Sequence, residues 1–164
     1  MKRIVLAILA LAALSAPAYA QNAGQISRAQ SGASCPKCNL FQADFNGREL
    51  RNKNFAGARL RQADLSMGVF NGSTFAGGDL RDLDGTASLF GRVSFAGANL
   101  TNATFVGAYL EGANFKGAIL DGVNFSGAEM RSATGLTQRQ LDQTCGDEAT
   151  ELPRGLRIPV CTLR

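Results

Sequence analysis

The chain has 164 residues, with seventeen Lys or Arg against thirteen Asp or Glu and a formal charge of +4. It contains no histidine, which removes Ser/His/Asp and Cys/His nucleophile systems and most zinc sites. The cations form no Lys/Arg-rich run, so no nucleic-acid partner is expected.

The first element in chain order reads as a leader. Lys2 and Arg3 form a positive start, Ile4 to Leu14 is an apolar run of eleven, and Ala18-Tyr19-Ala20 is a small-x-small cleavage site. The run is too short to cross a bilayer as a helix. The expected mature chain begins at Gln21 and lies in the periplasm or is secreted, with no membrane insertion after cleavage. It carries fifteen cations against thirteen carboxylates, a mild excess. Gln21 to Gly32 reads as a flexible lead-in.

From 40 to 130, every residue number divisible by five is Leu, Phe or Met, with Gly85 the one exception. Neither an α-helix nor an ordinary strand has an apolar period of five, so this is a repeat architecture. With the large residue at position i, position i−2 is usually small, as in Ala58, Ala98 and Ala113, and i+2 is often glycine, as in Gly57, Gly97 and Gly112. Each pentapeptide thus offers one large and one small inward side chain followed by a corner, which glycine relieves because it tolerates φ > 0.

This pattern, over about residues 33 to 135, resembles the pentapeptide-repeat family, whose motif is approximately A(D/N)LxG. The resemblance implies an all-β fold: a right-handed quadrilateral parallel β-helix, four pentapeptides to a square coil of twenty residues, about five coils here. An internal test agrees. Positions twenty apart form pure columns: Leu40, Leu60, Leu80, Leu100 and Leu120, and Phe55, Phe75, Phe95 and Phe115. Stacked at strand spacing, these ladders make a filled core rod about 24 Å long.

The departures from the pattern are few. Gly85 lacks bulk at i while Leu83 supplies it at i−2, which reads as a volume-conserving swap; the competing reading is a loop or kink. Arg48 and Lys53 occupy i−2 in the first coil, where a buried bare charge is costly, so their stems are expected to reach outward.

The rod's C-terminal end carries a cap. Thr137 and Gln140 form a capping box, with Leu136 and Leu141 as its apolar staple, predicting a short helix from about Gln138 to Cys145 that stops at Gly146. Residues 147 to 164 then read as an irregular tail. The four cysteines favour the pairs Cys35–Cys38 and Cys145–Cys161, because the rod separates the two ends by more than a disulfide spans. Cys35-Pro36-Lys37-Cys38 is also a C-x-x-C motif, read as a structural staple ahead of an exchange pair, since no βαβ pattern surrounds it.

Outward rows also recur at twenty. Val69, Leu89 and Tyr109 form a candidate contact stripe between Glu49 and Glu129; the alternatives are scattered surface hydrophobes, or cover by a tail containing Ile158 and Val160. Asp44, Asp64 and Asp84 form a carboxylate row, explained by ion pairs with Arg61 and Arg81 more simply than by a cation. The row of Asn54, Thr74, Ser94 and Asn114 is nearly neutral; it offers a polymer-binding face or a plain solvated one.

No convergent acid, base and nucleophile can be assembled, and no cofactor or metal is expected. The expectation is a non-enzymatic scaffold or protein-binding module, with an unidentified protein partner or a second copy of the chain. Two alternatives are a thiol-disulfide protein using Cys35 and Cys38 and, implied by the family alone, a DNA-mimicking protein that acts on gyrase. The mixed charge and the leader both weigh against the second.

Overall fold

The computed structural model describes residues 21–162; the leader expected at 1–20 lies outside them. From Asn39 to Thr134 the chain is a four-sided parallel coil. Sixteen successive bridges join residues twenty apart, from Asn39–Arg59 to Asn114–Thr134. Each side contributes only a one-residue bridge, so the sheet is a stack of short rungs rather than long strands.

Backbone bonding explains the regularity. The N–H of a large residue typically donates to a carbonyl one coil on, as from Leu60 to Asp79 at 2.7 Å, and the residue before it donates back one coil, as from Arg59 to Cys38 at 2.9 Å. Corners close with turns in which the small residue donates to the large one before it, such as Ala63 to Leu60 at 3.0 Å. The third turn residue lies at positive φ at every corner from 37 to 127, the conformation type II turns demand. Glycine is favoured there but not required. Nine non-glycine residues adopt it, including Met67 at φ 56° and Ala87 at φ 55°; the coil-to-coil bond made by the same residue's N–H offsets the local cost.

The interior is the expected double ladder. Every large residue of the columns is at most 2 % exposed. Phe55, Phe75, Phe95 and Phe115 stack at ring separations of 5.2, 5.7 and 5.3 Å. At Gly85 the register passes straight through, since Asp84 bridges both Asp64 and Thr104. Leu83 is buried as expected. A Cβ on Gly85 would come within 2.9 Å of the Phe105 ring and 3.0 Å of Phe90, so neighbouring rings occupy the vacated space. The polar core residues are satisfied: Ser73 Oγ donates to Leu50 O at 2.8 Å, and Ser88 Oγ to Leu65 O at 2.6 Å. Arg48 is exposed and Lys53 half-buried, in keeping with outward-reaching stems.

The N-terminal reading needs correction. Residues 21–32 are not a flexible lead-in: α1 spans Ala23–Gln30. Asn22 caps it by accepting from Gln25 N at 3.0 Å. Ala29 is fully buried and Ile26 packs on the core. The helix sits over the open end of the first coil and supplies partners to its backbone groups. Gln25 Oε1 accepts from Asn39 N at 2.5 Å, and Gln30 Nε2 donates to Asp44 O at 2.7 Å.

The C-terminal cap is shorter than expected. Helix α2 spans Gln138–Leu141, with both arms of the Thr137–Gln140 capping box formed. It ends early because Cys145 is taken by the coil: its N–H donates to Val123 O at 3.0 Å and its carbonyl accepts from Phe125 N at 2.8 Å. Nor is the tail wholly irregular. Glu151 bridges Glu129, and Val160 bridges Gly146.

Candidate contact face

The expected stripe is real as geometry. Val69, Leu89 and Tyr109 occupy consecutive rungs of one side of the coil, continuing from Glu49 and on to Glu129 and Glu151. Their spacing is therefore fixed by the backbone ladder at roughly 4.8 Å per rung. Leu89 is 40 % exposed and Tyr109 38 %, while Val69 is half-buried. The C-terminal tail does not cover them; it crosses the end of the coil, and Val160 is itself 71 % exposed. Met67, at the corner beside Val69, adds an exposed side chain that the sequence pattern does not single out.

Charge brackets the stripe. Arg51 pairs with Glu49 at 2.6 Å at one end, and Arg131 with Glu151 at 2.5 Å at the other. Beside Tyr109, Glu111 accepts from the backbone of Arg131 at 3.0 Å and of Ser132 at 2.7 Å, and from the Ser132 hydroxyl. Partial burial pushes Glu111 up, but these donors outweigh it and hold the carboxyl below its ordinary 4.5. Tyr109 lies across Gly91, whose Cβ, if present, would sit 3.1 Å from the ring, so this glycine makes the room for it.

The aspartate row behaves differently from expectation. Asp44, Asp64 and Asp84 do not pair with Arg61 and Arg81. Each accepts from a backbone N–H two residues on, at 2.9 Å, and so fastens its own corner. Arg81 instead grips Asp79 at 2.7 Å, and Arg61 reaches Asp82 at 3.4 Å. The Arg81 hydrogen bond holds Asp79 below its ordinary 3.8. Asp147 is lowered as well, first by the N–H of Gly127. No group of three potential metal ligands occurs among the described residues. The neutral row is also committed locally, with Asn54 and Asn114 accepting from Ala56 N and Lys116 N at 2.9 and 3.0 Å.

The cysteines sit at opposite ends. Cys35 and Cys38 have Cα atoms 5.5 Å apart and bonded sulfurs, and both are buried near α1. Cys145 and Cys161, 4.8 Å apart at Cα, tie the last rung to the coil. No helix among the described residues is long and apolar enough to cross a membrane.

A four-sided stack of five-residue units, with many of its polar side chains fastening corners, defines a repeat solenoid. A family model for pentapeptide repeats matches in eight copies over residues 38–77 and 94–131, and the chain belongs to that family. The unmatched interval holds the Leu83/Gly85 swap and Ser88. Among solved structures, trypsin-treated QnrB1, a plasmid-mediated fluoroquinolone resistance protein, aligns with a TM-score of 0.55 at 20 % identity. The alignment covers 72 % of this chain and 59 % of QnrB1, so it shows the fold over part of that protein's length. A pentapeptide repeat protein from the Arabidopsis thaliana thylakoid lumen is 26 % identical, covering 63 % of this chain and 61 % of its own, with a TM-score of 0.35. Rfr23 from Cyanothece 51142 is 20 % identical, covering 79 % and 97 %, at 0.45. No curated protein matches the sequence.

Proposed function

We propose that this pentapeptide-repeat protein is a non-enzymatic scaffold of the periplasm or extracellular space, and that it holds a protein partner on the Val69–Leu89–Tyr109 face. The observation that carries the reading is the stripe: three adjacent apolar side chains on fixed rungs, left open by the tail. The leader residues Lys2, Arg3 and Ala18 to Ala20 support the compartment, as do two cysteine pairs each held close enough for a disulfide in the mature protein. The burial of Cys35 and Cys38 weighs against thiol exchange. The lowered carboxyls of Asp79, Glu111 and Asp147 each answer to local donors rather than to a shared cleft, which favours a binding role over catalysis.

The test is in-cell crosslinking from a photoreactive residue placed at position 87, beside the stripe, with fractionation of the host. A crosslinked species in the envelope or medium that Leu89→Asp abolishes, at unchanged melting temperature, supports the reading. A crosslink indifferent to Leu89→Asp, or a chain retained in the cytoplasm, refutes it.

A further inference from the structure

The coil obeys one bonding rule with two lapses, and the lapses lie together. Among the described residues, every large position from Leu40 to Met130 donates its N–H to the next rung or its replacement, except Leu120. Every positive-φ corner residue from Lys37 to Gly127 does the same, to a carbonyl or, at Gly112 and Gly127, to Ser132 Oγ and Asp147 Oδ1, except Gly117. Both lapses arise because the bridge column Asn39, Arg59, Asp79, Asn99, Ile119 stops at Ile119, where α2 stands in for the next rung.

Helix α2 fills only part of that place. Gln140 Nε2 donates to Ala118 O at 2.8 Å and Phe115 O at 3.3 Å, mimicking the missing strand's N–H. Among the described residues, nothing mimics its carbonyls. Between α2 and the coil lies an open groove of about 770 Å³, lined by Gly117, Ile119, Leu120, Lys116, Arg139 and Asp121 among others. Ile119 is 46 % exposed at its edge. Lys116 and Arg139, both exposed, give the rim a cationic excess over Asp121.

We propose that this groove is a binding site for an acidic peptide that turns a glycine corner, separate from the Val69–Leu89–Tyr109 face. In the preceding coil the two equivalent donors, Gly97 and Leu100, bond the carbonyls of Lys116 and Ile119, three residues apart across a corner in which Gly117 lies at φ 67°. Gly117 and Leu120 therefore offer the same spacing to an incoming chain that turns as the coil's own corners do, with glycine at the positive-φ position. An apolar side chain of the peptide rests on Ile119, and carboxylates meet Lys116 and Arg139.

The experiment is a titration of the 15N-labelled protein, expressed from Met1 and purified, with a six-residue Glu/Leu peptide carrying one central glycine to take the corner. Lys/Leu peptide and inorganic phosphate serve as controls. The expected result is progressive downfield movement of the Gly117 and Leu120 amide protons. Lys116→Glu with Arg139→Glu, both at exposed positions, should weaken binding at least about tenfold, the loss of two charge-assisted contacts. The proposal is overturned if those two amides do not move, if the Lys/Leu peptide or phosphate moves them equally, or if the double variant binds as wild type. Leu89→Asp should leave the titration unchanged, so the two surfaces are judged separately.

Discussion

Truncating Phe95 to Ala probes the ladder at its centre. Phe95 is fully buried, stacked on Phe75 and Phe115 at 5.7 and 5.3 Å and edge-on to Phe90 and Phe105, both at 5.6 Å. Losing the transfer free energy of the ring costs about 2–3 kcal/mol. The neighbouring rings are pinned by backbone rungs and cannot close the gap, so the residual cavity adds about 1–2 kcal/mol. The sum is about 3–5 kcal/mol, or a fall in Tm of roughly 6–20 °C for a domain of this size. The assay is paired urea melts and calorimetry on wild type and variant. Phe45→Ala is the internal control: its one ring neighbour is Phe55 at 6.2 Å, and it should cost less. A loss below about 1 kcal/mol for Phe95→Ala, or an equal loss at both positions, would refute inward stacking as the source of stability.

Other perturbations test the corners, the charges and the tail. Gly135→Ala should destabilise by more than about 1 kcal/mol in urea melts, because its φ is 73° and the new Cβ meets Lys116 N. Gly77→Ala, at φ 64° with no neighbour within 4 Å, should cost less. Asp79 is held below 3.8 by Arg81, so its contribution is present above that pH and is lost as pH falls through the depressed folded value. Urea melts from pH 7 to 2 should therefore show Asp79→Asn weaker than wild type by under about 1 kcal/mol at neutral pH, with the two curves converging in acid. Replacing Cys145 and Cys161 by Ser opens a closure of 16 residues and should remove up to about 3 kcal/mol. Hydrogen exchange should then show protection lost first at Gly146 and Cys161, whose N–H groups hold the outer rung.

The coil was legible in the sequence because its period is written directly in large residues, and columns such as Leu40 to Leu120 needed no tertiary knowledge. The stripe followed from the same arithmetic. What escaped depends on groups a pattern of large and small residues does not display. The corner aspartates bond their own backbone, a local choice that charge spacing alone misassigns to Arg61 and Arg81. Helix α1 hides in a short polar stretch; Asn22 followed by Gln25, with Ile26 and Ala29 on one face, was the available signal. The groove beside Ile119 was less visible still. It is defined by two main-chain donors that find no acceptor among the described residues, and only the capping box at Thr137, placed where another rung would fall, hints at it.

The span of twenty residues between paired rungs has a consequence for how the chain assembles. No rung waits for a distant segment, so winding can begin once α1 and the first two turns exist, and each later turn needs only the one laid before it. Helix α1 closes one end of this stack, and the tail, held at Cys161, closes the other.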